Sequence, residues 1–249
     1  MTTTRTHPAF TLVELLVCIS IIALLIGLIV PSLAGGRGSA LRTHALANVH
    51  HAAQTFALYA NQYRESFPWH DGDTWVLDHP PDEGSAPNFR TGDPFGIRYT
   101  WVTTMHDLAP WREHYITWLN PGVAHDASRP WSVVNAGTGQ ATTVWPSYFM
   151  SSALAGDPSV WSKTGGTPAP RALRHADVVF PSNKAMLIDT DRAYLTRANA
   201  SSPQRIIAAA DGAARLRDDR NAKPPARNRI TNSQEKYFDT AEGTRGTDW

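Results

Sequence analysis

The chain is expected to adopt an α+β fold: a long N-terminal helix, partly transmembrane, packed on a small antiparallel β-sheet with long loops. Three observations lead there. Residues 10–30 form an unbroken apolar run, a helical stripe resumes after Leu41, and the clearest strand patterns lie in the final third, where Asp211-Gly212 separates two short apolar runs.

The run from Phe10 to Val30 (FTLVELLVCISIIALLIGLIV) has 21 residues and one charge, Glu14. As a helix it would be roughly 30 Å long, the thickness of a bilayer core. Arg5 keeps the short polar leader before it on the cytoplasmic side, which sends the rest of the chain outward. Gly35-Gly36-Arg37-Gly38 weakens a helix by about 1 kcal/mol per glycine, so an interruption is expected there. The stripe Leu41, Ala45, Val49, Ala52, Phe56, Tyr59 and Tyr63 then recurs at intervals of three and four. It defines a second helix ending before Pro68, with its apolar side against the globular part.

From Pro68 to Pro170 the chain is rich in loops and tryptophan. Val133-Val134 and Thr142–Tyr148 are weak strand candidates there. Lys184–Asp189 reads as a buried strand. Arg205–Ala210, Asp211-Gly212 and Ala213–Leu216 read as a hairpin with a two-residue type I′ turn. Arg215 to Arg229, with an excess of arginine over Asp218 and Asp219, reads as a solvated loop.

Composition excludes several functions. Lys+Arg 23 against Asp+Glu 22 provides no basic field for nucleic acid, so none is expected as a partner. Cys18, inside the apolar run, is the sole cysteine, so no internal disulfide can form. No G-x-S-x-G, P-loop or H-E-x-x-H motif occurs, and no enzyme is expected.

Two readings compete for the N-terminus. A secretory signal cut after Ala34, with Pro31 as its helix breaker, would release a chain beginning at Gly35. Alternatively the apolar run stays as an anchor. Glu14 favours the anchor, because a carboxylate near the bilayer centre costs about 2.5–3.5 kcal/mol. A signal core is also usually about 7–15 residues.

The string Ala9-Phe10-Thr11-Leu12-Val13-Glu14-Leu15-Leu16 resembles the prepilin cleavage and methylation motif of type IV pilins and type II secretion pseudopilins. The resemblance implies cleavage between Ala9 and Phe10 by a prepilin peptidase and N-methylation of Phe10. It implies assembly roles for Glu14, which would neutralise a neighbouring subunit's Phe10 ammonium, and for Pro31. Ala9 departs from the family's usual glycine before the cut. The implied organisation is a leader over 1–9, a transmembrane and assembly helix over 10–30, a stalk helix over 31–67 and a globular domain over 68–249. The C-terminal part is similar to large pilin-like proteins of planctomycetes and related bacteria, through a strand ending in Ala210-Asp211-Gly212, Tyr59-Ala60-Asn61 as a turn leading to Phe67-Pro68, and the ending Gly246-Thr247-Asp248-Trp249. Their histidine ten positions before the Asp is replaced by Ser201.

A structural subunit follows from the resemblance, processed and built into a type II secretion pseudopilus or a type IV pilus. Its partners would be other pilin or pseudopilin subunits and an inner-membrane assembly platform. It would be single-pass in the inner membrane with its domain in the periplasm, or in an extracellular fibre after assembly. The alternative is a pilin-anchored module presenting Trp69, Trp75, Trp101, Trp111, Trp118, Trp131, Trp145 and Trp161 to polysaccharide or secreted cargo. Tryptophan is more often core. His44, His50 and His51 include no i,i+4 pair and read as a solvated helix face. Asp189, Asp191 and Asp211 are weak candidate calcium ligands, since some pseudopilins bind calcium in this part of the fold. Turn and strand-end carboxylates are the simpler reading, and no cofactor is otherwise expected.

Overall fold

The computed structural model describes residues 11–69, 95–105, 108–109, 111–123, 132–134, 141–143, 146–163, 166–195 and 201–249. Ala9, Phe10, Trp75, Trp131 and Trp145 lie outside the described residues. The architecture is α+β, as expected. The chain divides into two compact units, Met1–Ala40 and Leu41–Trp249.

Helix α1 runs from Leu12 to Gln62 without interruption. The break expected at the glycines is therefore absent, and helix continues through Pro31, Gly35, Gly36 and Gly38. Intrinsic propensity is a weak prior, and helix elongation is cooperative once strong helical sequence lies on both sides. Tyr59-Ala60-Asn61 is likewise not a turn: it belongs to the end of α1. The turn follows at Arg64 and Glu65, both with positive φ.

In the first unit, every described side chain from Leu12 to Val30 is exposed. In the second, the stripe behaves as its spacing demands. Ala45, Val49, Ala52, Phe56 and Tyr59 are buried, while Tyr63 at the end is exposed. Two short helices missing from the sequence reading, α2 (Ile97–Thr104) and α3 (Trp111–Trp118), pack here. The Phe56 and Trp101 rings lie 5.1 Å apart, and Trp101 meets Trp118 edge-on at 5.4 Å. Trp101 Nε1 donates to the Tyr148 carbonyl at 2.8 Å, satisfying the buried indole. Trp101, Trp118 and Trp161 are core residues and not a ligand-facing surface.

Strands β1 (Ser132–Val134) and β2 (Ala141–Thr143) pair as a small ribbon. The main sheet is an antiparallel meander of β3 (Tyr148–Met150), β4 (Ala185–Asp189), β5 (Gln204–Ala209) and β6 (Ala214–Asp218). The first segment of the stretch read as a basic loop is thus strand β6. Every residue of β4 is buried because both sheet faces are covered, which explains its continuous apolar run. One face, with Met150, Leu187 and Ile206, joins the core beneath α1. The other, with Ala185, Ile188 and Ile207, is covered by Tyr237, Phe238 and Trp249.

The β5–β6 connection is not a type I′ turn. Gly212 N donates to Ala209 O at 2.9 Å and Ala209 N to Ala213 O at 3.0 Å, enclosing three residues. Of these only Gly212 has positive φ, at 84°. This is a type I turn closed by a left-handed glycine. Asp211 accepts from Ala213 N at 2.9 Å, which stabilises the α-region turn in place of the left-handed one.

The chain end is tied into the sheet. Lys184, fully buried, donates to Thr240 Oγ1 and lies 3.5 Å from Asp248 Oδ2. That carboxylate also accepts from Ala185 N at 2.8 Å. Burial holds the Lys184 ammonium down to about 8, with Asp248 opposing the shift. Gly246 is required for the approach, because a Cβ there would sit 1.8 Å from the Ala241 carbonyl oxygen.

Candidate functional site

The N-terminal site begins where α1 begins. Thr11 N donates to Glu14 Oε2 at 2.9 Å and Thr11 Oγ1 donates to the same oxygen at 2.8 Å. Glu14 N in turn donates to Thr11 Oγ1 at 3.2 Å. This is a reciprocal capping box, and it satisfies backbone donors that the first turn of any helix leaves open. The sequence carries the signal for it as Thr-x-x-Glu before an apolar run, where the charge of Glu14 alone points to an intramembrane role. Among the described residues, both bonds into the carboxylate use Oε2 and none reaches Oε1.

Beyond this cap, Leu12–Val30 is the one described helical stretch that is long and apolar enough to cross a membrane. None of it is buried within the protein. Cys18 is exposed within the stretch as a free thiol. Pro31 lies within α1, one residue beyond the stretch.

The acidic candidates of the C-terminal third are separated. Asp189 and Asp191 meet at the end of β4. Asn120 Nδ2 donates to Asp189 Oδ1 at 2.7 Å and to Asp191 Oδ1 at 2.5 Å. Ser147 Oγ donates to Asp191 Oδ2, and Arg192 N donates to Asp189 Oδ1 at 3.0 Å. Asp211 belongs to the β5–β6 turn at the opposite end of the sheet and pairs with Arg215 at 3.8 Å. The Asp189–Asp191 pair faces N–H and O–H donors, which a cation would have to displace. Among the described residues no group of three or more His, Cys, Asp or Glu side chains is gathered to hold a metal.

What the pair does is join elements of the second unit. Tyr148 Oη donates to Asn120 Oδ1 at 2.9 Å, and Asn48 of α1 donates to the Leu119 carbonyl at 2.9 Å. The buried seam thus fastens α1 to the segment after α3 and to the sheet. Among the described residues, the buried Asp189 Oδ2 and Tyr194 Oη have no hydrogen-bond partner. Burial pushes the Asp189 carboxyl up to about 6, and the neighbouring Asp191 adds to the shift.

His50 contacts the Gly212 carbonyl through Nδ1 at 3.3 Å, and His51 stacks on His114 at 5.6 Å. Burial, then the nearby His114 and His50, hold His51 below the usual histidine range. His44 is exposed. The three histidines do not converge on one site; His51 has a packing role in place of the solvated one expected.

Residues 5–30 match the family model described as the prokaryotic N-terminal methylation motif. No curated protein and no solved structure matches the chain. An apolar helix without interior partners and a methylation motif spanning its start fit membrane anchoring. Together they support a structural precursor of the type IV pilin-like class, carrying an α+β body.

Proposed function

We propose that this protein is a pilin-like structural subunit, cut between Ala9 and Phe10 by a prepilin peptidase, methylated on Phe10 and polymerised through its N-terminal helix. The observation that carries this reading is the methylation motif over residues 5–30, placed on an apolar stretch none of whose described residues is buried within its own chain. Such a surface requires lipid or other helices as its solvent. Residues 1–9 then act as leader, 10–30 as anchor and assembly helix, 31–67 as stalk and 68–249 as the domain displayed outside the inner membrane. The fibre is a type II secretion pseudopilus or a type IV pilus.

Glu14 has two roles in this scheme. Its Oε2 caps α1 through Thr11, and Oε1 accepts the Phe10 ammonium of a neighbouring subunit. Pairing the two charges offsets the cost of holding either in an apolar environment. N-terminal mass spectrometry of the native protein tests the processing step. A mature chain starting at N-methylated Phe10 is the expected result, and a chain starting at Gly35 would overturn the proposal.

A further inference from the structure

The turn that ends α1 borders a pocket of about 350 Å³, at the small end of the range for ligand sites. Tyr59, Gln62, Tyr63, Arg64, Trp69 and Arg174 contribute to its lining. Tyr59 and Tyr63 stack with ring centroids 4.3 Å apart and planes inclined by 19°. Arg64 and Arg174 are exposed, and among the described residues neither guanidinium has an ion pair. Among the described residues no acidic side chain lines the pocket.

Its wall is rigidly tied. Phe67 N donates to Leu173 O at 2.8 Å, His175 N to Glu65 O at 2.9 Å, and Ser66 forms an antiparallel bridge with Arg174. Arg64 and Glu65 both take left-handed backbone conformations, unusual for residues other than glycine. This junction brings Arg174 to the same wall as Arg64 although they are far apart in sequence.

We infer that this pocket binds an anionic sugar, a uronate unit of an acidic polysaccharide, with the two arginines on its carboxylate and the exposed Tyr63 and half-buried Trp69 against its ring. Guanidinium groups match a carboxylate with paired N–H donors. Flat aromatic surface suits the apolar face of a pyranose, and a small ion such as phosphate would leave it unused. A peptide added as a strand would need free backbone groups. Here the Ser66, Phe67 and His175 amides already donate within the chain. The inference does not depend on how the N-terminus is processed.

Isothermal titration of the full chain in detergent micelles tests it, using trigalacturonate, its neutral counterpart galactotriose, hexaglutamate and inorganic phosphate as probes. Trigalacturonate should bind with a sub-millimolar Kd. Arg64→Gln and Arg174→Gln should each weaken it by about tenfold, with thermal melting unchanged. Binding should also weaken when salt is raised from about 0.05 to 0.5 M. Equal binding of galactotriose, equal binding of hexaglutamate or phosphate, unchanged affinity in both arginine variants, or no binding of trigalacturonate would each overturn the inference.

Discussion

Leu12–Val30 and the sheet-bearing unit solve the same problem in opposite ways. Both contain continuous apolar sequence, yet the first buries none of it and the second hides β4 completely. The second unit also takes in polar groups, including Lys184, Asp248, Asp239 and Asp189, and supplies most of them with partners from its own chain. The first contains one carboxylate, and among the described residues that carboxylate is engaged by Thr11 on one oxygen. The difference identifies where each region's missing partners lie: inside the fold for the sheet, outside the molecule for the helix.

Three substitutions bear on this contrast. Glu14→Ala should have the largest effect, abolishing incorporation into fibres while leaving membrane insertion and the melting of the globular unit unchanged. Co-sedimentation of the variant with assembled fibres checks it, and normal assembly would break the comparison. Lys184→Met comes next. It leaves Asp248 as an uncompensated buried charge and should destabilise the sheet-bearing unit by about 3–5 kcal/mol, measured by denaturant unfolding, with no effect on membrane insertion.

The smallest effect is expected from Asp189→Asn. The Asp189 carboxyl titrates near 6 in the fold against 3.8 as its ordinary value. The folded state therefore holds this proton more tightly than the unfolded one. Stability from this group is complete below the ordinary value, declines as pH rises through the window between the two, and is lost above about 6. Asparagine keeps the acceptor for Asn120 and Arg192 but cannot ionise. The variant should flatten the pH dependence in that window and gain about 1–3 kcal/mol at neutral pH. Melting curves across pH 4–7 would show either a flattened or an unchanged slope, and the latter would mean that Asp189 stays ionised without penalty.

The parts of the fold that were legible in the sequence are those whose cause is local or periodic. The Ala45–Tyr59 stripe repeats with the helix, and β4 and β5 stand out because burial on two faces leaves uninterrupted apolar runs. The failures arose where several local solutions compete. Asp-Gly permits both a two-residue and a three-residue loop, and the Asp211 contact with Ala213 N selects the longer one. Ile97–Thr104 is rich in β-branched and aromatic residues, which favour strands, yet it is helical because Trp101 fills the core beneath α1. The ties from Asn120 to Asp189 and from Lys184 to Asp248 join residues distant in sequence, where no spacing rule reaches. At the candidate site, Glu14 is conspicuous as a charge, while its bond to Thr11 is signalled only by the Thr-x-x-Glu spacing.

The lock at Lys184 also ties β4 to a partner distant in the chain. A chain that emerges N-terminus first exposes Lys184 long before Asp248, which follows 63 residues after Ala185. Until then, closing β4 into the sheet would bury an unpaired ammonium. The stability of β4 therefore depends on a carboxylate at the far end of the unit.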